Sequence, residues 1–237
     1  MTTKQQPLNS GFGATTTARE ALGNTRLEGA VTIVTGGYAG IGLETTRTLH
    51  AAGATVIVPA RTPDKARAAL AGLEGVELEP LDLIDPASID AFASRFLASG
   101  RPLHLLINNA GIMATPLTRD ARGEAHRVRA FAVHPGGILT ELVRPMSEEE
   151  VRASIENSNK IEPMKTPEQG AATTVWCATS PQLENRGGVY CENVDIAVMA
   201  PPDATIRRGV KDQAVAPKQA DRLWTASEAW TGVRFNP

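Results

Sequence analysis

The stretch Thr35-Gly36-Gly37-Tyr38-Ala39-Gly40-Ile41-Gly42 constrains this chain more than any other. It follows the apolar run Ala30–Val34 and opens an amphipathic segment, Ile41–Ala52, that stops at Gly53. Strand, glycine turn and helix in that order are the context of a dinucleotide site. Glycine lets the backbone turn tightly and approach a pyrophosphate, and a helix start offers unpaired N–H groups and partial positive charge. The spacing Gly36-x-x-x-Gly40-x-Gly42 is one residue wider at the first gap than the common fingerprint.

Around this turn, strand and helix signals alternate. Val31–Val34, Ala54–Pro59, Val76–Leu81 and Leu103–Ile107 read as strands, and Ile41–Ala52 and Pro63–Ala71 as helices. A further helix begins at Asp85-Pro86, with Asp as N-cap and Pro at the first helical position, and runs to about Ala98. This order predicts a doubly wound parallel sheet with helices on both faces. Farther on, Val128–Val133 reads as a strand ending in His134-Pro135-Gly136-Gly137, and Val189–Val194 as a last strand. Ser147 with Glu150, and Thr166 with Gln169, are capping boxes that open two helices. Residues 1–24 read as a polar N-terminal extension with a short helix through Ala18–Leu22, 140–166 as a lid on the substrate side, and 220–237 as a tail carrying Trp224 and Trp230. One domain is expected over 1–237.

Composition narrows the partners. With a net charge of −2 and 4% aromatic residues, nothing points to nucleic acid or to an anionic membrane surface. No apolar stretch is long enough to span a bilayer, and the polar N-terminus has no signal-peptide core. Cys177 and Cys191 form no close metal pair and read as buried thiols, so no metal site is expected and a cytoplasmic location follows. His134, at a strand end with no evident acid/base partner, reads as structural, and Lys160 and Lys165 as solvated charges.

The glycine turn after Thr35, together with Asp82-Leu83, Asn108-Asn109-Ala110-Gly111 and Pro135-Gly136 with Thr140, resembles the short-chain dehydrogenase/reductase family, in the branch of retinol-dehydrogenase-like reductases. The resemblance runs from about Leu27 to Phe235. It implies a cofactor site made by Gly36, Tyr38, Gly40, Ile41 and Gly42, with Asp82 and Leu83 at the adenine, Asn109, Ala110 and Gly111 beside the adenosine ribose, and Pro135, Gly136 and Thr140 at the nicotinamide end. Singly, each has a plain alternative as a turn or strand terminator. The cofactor's identity turns on Arg61, 19 residues after Gly42 at the end of the second strand, where an NAD site would place a carboxylate. A guanidinium there suits a 2′-phosphate and favours NADP. A solvated loop charge is the alternative, and Asp64 keeps NAD possible.

The family's chemistry has no counterpart here. Members use a Ser, a Tyr-x-x-x-Lys pair and an Asn; the Lys lowers the pKa of a phenol that would otherwise titrate near about 10. This chain has two tyrosines, Tyr38 and Tyr190, followed four residues on by Gly42 and Val194. Only 24 residues separate Gly111 from Pro135. In the family that interval holds two helices and a strand, which need roughly 45–60 residues. The junction falls near Asp120–Gly123, and the strand after it is expected to pair directly beside the fourth. No catalytic residue is assigned. The expectation is an NADP-dependent oxidoreductase of carbonyl and alcohol groups whose catalytic segment is missing, with impaired activity. The alternatives are a non-catalytic dinucleotide sensor or scaffold, or a non-functional deletion product. Loss of the covering helices leaves a bare sheet face through which self-association is expected.

Overall fold

In the computed structural model, which describes residues 4–111, 129–143, 146–160, 162–204 and 208–231, the strands form two sheets. The first is parallel, in the order β3-β2-β1-β4, from β1 (Val31–Val34), β2 (Thr55–Ala60), β3 (Glu77–Pro80) and β4 (Leu105–Ile107). Strands β1 and β2 are buried almost throughout, as a parallel sheet covered on both faces requires. Alternation sends Val34, Val56 and Val58 to one face, where Leu49 of α2 (Gly40–Ala51) covers them. It sends Val31, Ile33 and Ile57 to the other, under Phe92 and Phe96 of α4 (Pro86–Ala98). Asp85 caps α4 by accepting from Ala87 N–H, as its sequence predicts. Helix α3 (Pro63–Ala69) joins β2 to β3.

The second sheet is β5 (Phe131–His134), β6 (Val189–Glu192) and β7 (Asp195–Ile196), with β5 and β6 parallel and β7 antiparallel. The single last strand read from the sequence is a hairpin. Asn193 and Val194, with φ of 51° and 62°, take the left-handed conformations of a two-residue turn between β6 and β7. Both capping boxes form, opening α5 (Glu148–Asn159) and α6 (Pro167–Thr179). In the tail, α7 (Asp212–Val215) precedes α8 (Pro217–Thr231).

The N-terminal segment is docked rather than loose. Gln5 Nε2 donates to the carbonyls of Tyr190 and Ala197, Asp195 accepts from the N–H groups of Leu8 and Ser10, and α1 (Ala18–Leu22) packs on α6. The two sheets are joined by helices. A Cβ added at Gly170 of α6 would lie 3.2 Å from Ile41 of α2 and 3.0 Å from Ile138, so glycine there permits the close approach.

One expectation is corrected. Strand β5 does not pair beside β4, because its partner is β6 and the two strands belong to different sheets. Strand β5 is held by its pairing with β6 and by α6, which contacts both, so the short connection does not draw it onto β4. The junction residues Asp120–Gly123 and the start of the predicted strand at Val128 lie outside the described residues.

Candidate dinucleotide cleft

The site begins where β1 and β4 end. Thr35 Oγ1 accepts from Ala110 N–H at 3.0 Å, and Thr35 N–H donates to Ile107 O at 3.0 Å. Asn109 Nδ2 donates to the carbonyls of Thr35 and Gly36 at 3.0 and 3.4 Å. The turn after β1 is thus tied to the turn after β4. Gly36 and Gly40 have φ of 64° and 49°, which side chains resist. Gly42 has an ordinary φ but no room: a Cβ there would lie 2.3 Å from Asn109 Nδ2 and 2.4 Å from Gly36 O. Across the turn stands Thr140, whose Cγ2 would be 3.0 Å from a Cβ at Gly40.

Apart from the buried Thr35, these residues line one cleft of about 1220 Å³. Gly36, Tyr38, Gly40, Ile41 and Gly42 face Asn109, Ala110 and Gly111, with Pro135 and Thr140 closing the far side. The arrangement fits a dinucleotide. A side chain at Gly40 or Gly42 would fill the cradle, and α2 starts from Ala39 with no side-chain cap and no carboxylate in its first turn. Its leading N–H groups therefore point into the cleft uncapped by any side chain, with the helix dipole behind them. Lys65 of α3 and Glu141 form an ion pair, and both line the cleft.

Five residues read from the sequence stand apart from that lining. Arg61 is exposed at the end of β2; the neighbouring turn is close, since a Cβ at Gly37 would lie 3.1 Å from Val58. Asp64 is paired with Arg67 at 2.7 Å. Asp82 Oδ1 accepts from Ile84 N–H at 3.0 Å in a local turn, and Leu83 is half exposed. Gly136, with φ of 100°, lies against Lys165.

Lys165 overturns its sequence reading as a solvated charge. It is buried, its Nζ donates to Asn193 Oδ1, and Asn193 Nδ2 donates to Glu162 Oε1 at 3.1 Å. Arg208 also reaches Glu162, at 3.1 Å. Burial holds the Lys165 ammonium below its ordinary pKa and Arg208 adds to this, while Glu162 and Glu192 oppose it. Nothing in the local sequence marks Lys165 as buried, because Gly136 and Asn193, which pack on it, lie on segments far along the chain. Both cysteines are buried, and the nearby Cys191 and burial push the Cys177 thiol up. Among the described residues no group of His, Cys, Asp or Glu is poised to hold a metal, and no helix is long and apolar enough to cross a membrane.

Comparison with known proteins agrees with this geometry. The family model described as short chain dehydrogenase matches residues 30–124. A probable oxidoreductase of Streptomyces lividans is 32% identical over 288 aligned positions, covering 84% of this chain and 96% of that protein. Retinol dehydrogenase 11 of Mus musculus is 37% identical over 150 residues, covering 58% of this chain and 45% of that protein. Among solved structures, a short-chain type dehydrogenase/reductase from Mycobacterium marinum superposes with a TM-score of 0.60 at 17% identity, over 71% of this chain and 95% of that one.

Proposed function

The chain belongs to the short-chain dehydrogenase/reductase family, and from that premise we propose that it binds NADP while lacking the means to reduce a carbonyl or oxidise an alcohol. The observation that carries the reading is the contrast between a closed glycine turn and a chain without the Tyr-x-x-x-Lys pair. Tyr38 sits in the turn itself and Tyr190 in β6, where its backbone is bound by Gln5. When bound, the nicotinamide supplies a hydride. The family needs a positioned phenol to hold the proton at the substrate oxygen, and neither tyrosine has a lysine beside it in sequence to tune it. The alignment supports a missing segment: it runs to 288 positions, more than the chain's own 237 residues, yet takes in only 84% of them. The reading of a non-catalytic dinucleotide binder shares this observation.

NADP is favoured over NAD by Arg61. Asp64, the nearest carboxylate that would accept from a ribose 2′-hydroxyl, is already paired with Arg67. A planar cationic fork at the end of β2 suits a 2′-phosphate. Titration calorimetry is expected to show NADPH binding more tightly than NADH, and 2′-phospho-AMP binding as a fragment. Arg61→Ala should cost NADPH about tenfold or more, equivalent to about 1.4 kcal/mol, and leave NADH nearly unchanged. Equal affinities for the two cofactors in the wild type would overturn the 2′-phosphate assignment.

A further inference from the structure

We propose that the ion pair between Lys65 and Glu141 is a strap across the dinucleotide cleft that a phosphate group opens, the phosphate taking the place of the Glu141 carboxylate on the Lys65 ammonium. This rests on the dinucleotide reading of the cleft. It adds to that reading a cation that the sequence did not single out and a carboxylate that competes for it.

The two charges come from separate parts of the fold. Lys65 lies in the first turn of α3, directly after β2 of the first sheet. Glu141 follows Thr140 on the segment after β5 of the second sheet. The residues are 76 positions apart, yet Lys65 Nζ donates to Glu141 Oε2. Both line the cleft with Tyr38, Gly40 and Asn109. Thr140 stands over the glycine turn, its Cγ2 3.0 Å from the position of a Cβ at Gly40, so the next residue, Glu141, is set at the rim of that turn. The pair thus joins the α3 side of the cleft to the side that carries Thr140.

Other cations near this rim are directed elsewhere. Asp64 and Arg67 pair along α3, and neither they nor Arg61 line the cleft. Arg129 lines it, but precedes β5 and donates to Leu183 O, whereas the glycine turn is met by the segment after β5. Among the described residues, Lys65 is therefore the lining cation on the Thr140 side.

The strap is weak enough to exchange. Its side chains are 41% and 51% exposed, so water and salt screen the attraction. A phosphate brings the ammonium more negative charge and more acceptor oxygens than one carboxylate does. Repulsion between the two anions then turns Glu141 out to solvent. Every ligand must open the strap, and only one with a phosphate in reach of Lys65 offsets that cost. The exchange therefore selects phosphorylated nucleosides over bare ones.

Calorimetry on the full chain tests this with NADPH, NADH, 2′-phospho-AMP, ADP and adenosine. Glu141→Gln should bind the phosphate ligands at least about threefold more tightly, because the competitor is gone. Lys65→Gln should bind them about tenfold more weakly, and Lys65→Arg should restore most of that loss. In the double variant the gain from Glu141→Gln should vanish, since no cation is left to release. Adenosine should lose nothing with Lys65→Gln. Both positions are about half exposed, so each variant should melt within about 2 °C of the wild type. Effects confined to NADPH and 2′-phospho-AMP would support exchange with the 2′-phosphate, and effects shared by NADH and ADP would support exchange with the pyrophosphate. A Glu141→Gln protein that binds no more tightly, or a gain that persists in the double variant, would overturn the strap while leaving the dinucleotide reading in place. Phosphate ligands that bind neither the wild type nor any variant would overturn both.

Discussion

Within a few residues of β4 the molecule is built in two opposite ways. At Asn109 the packing is tight: its amide holds two carbonyls of the neighbouring turn, and Gly42 leaves no space for even a methyl group. Leu106, by contrast, lines the cleft and is 55% exposed. The contrast teaches that the two tasks of such an enzyme are separable in the chain. The proposed cofactor site is built from contacts among β1, α2 and β4, all of which are present. The catalytic segment, on the function proposed above, would belong to the interval between β4 and β5, which lie in different sheets.

Turnover would break the comparison most decisively. No measurable NADPH oxidation is expected with a panel of aldehydes, ketones and quinones, and no reverse reaction with alcohols. Loss of a general acid/base removes on the order of 10²–10⁴-fold, and loss of substrate positioning adds to that. The assay follows NADPH absorbance with homogeneous protein of confirmed mass. Robust turnover abolished by Gly42→Asp would show that this shortened chain has assembled a catalytic group elsewhere.

A pair of alanine substitutions sharpens the comparison within the cleft itself. Gly42→Ala places a methyl against Asn109 and Gly36 O, whereas among the described residues nothing lies within 4 Å of a Cβ at Gly111. Overpacking of this kind costs about 1–3 kcal/mol, at about 2–4 °C of Tm per kcal/mol for a chain of this size. Gly42→Ala should lower Tm accordingly and weaken cofactor binding. Gly111→Ala should stay within about 0.5 kcal/mol of the wild type. Equal Tm values in thermal melts would mean that the turn is looser than its contacts indicate.

The exposed leucines test the open side. Leu97 and Leu106 are 76% and 55% exposed, and exposed apolar surface drives association. Concentration-dependent oligomers are expected in light scattering coupled to size exclusion. Leu97→Lys with Leu106→Lys should shift the population toward monomer, with a stability change of about 0.5 kcal/mol or less per site. A wild type that stays monomeric across the accessible concentration range would count against an apolar open face.

The sequence was legible where interactions are local. Asp85, Ser147 and Thr166 cap the helices they were expected to cap, because a cap reads only its next few residues. The glycine turn was equally legible, since close approach and positive φ leave few residues but glycine. What escaped depended on distant partners. Docking of Gln5 onto Tyr190 joins residues 185 apart, and the close approach of α6 to α2 at Gly170 joins segments more than a hundred residues apart. The β6–β7 hairpin was hidden because Val194, buried and apolar, looks like a strand residue while taking a left-handed turn conformation.

Lys165 gives the finest test, on the closed side of the second sheet. Its ammonium is buried against Gly136 and tied to Asn193, and burial sets its pKa below the ordinary value. In the unfolded chain the group titrates near about 10.4. Between the lowered folded pKa and that value the unfolded state binds more protons, so this residue's contribution to stability rises with pH across the window. Below it, the burial penalty is constant and the hydrogen bond to Asn193 offsets part of it. Lys165→Met removes both, so at pH 7.5 its Tm should lie near that of the wild type. As the pH is raised toward 10, the wild type should gain relative to Lys165→Met, because the penalty on its charged form is relieved as the proton leaves. Paired thermal melts across that range cancel the titration of every other group common to the two proteins. A difference that stays flat, or moves in favour of Lys165→Met, would show that Lys165 remains charged and solvated as its sequence first suggested.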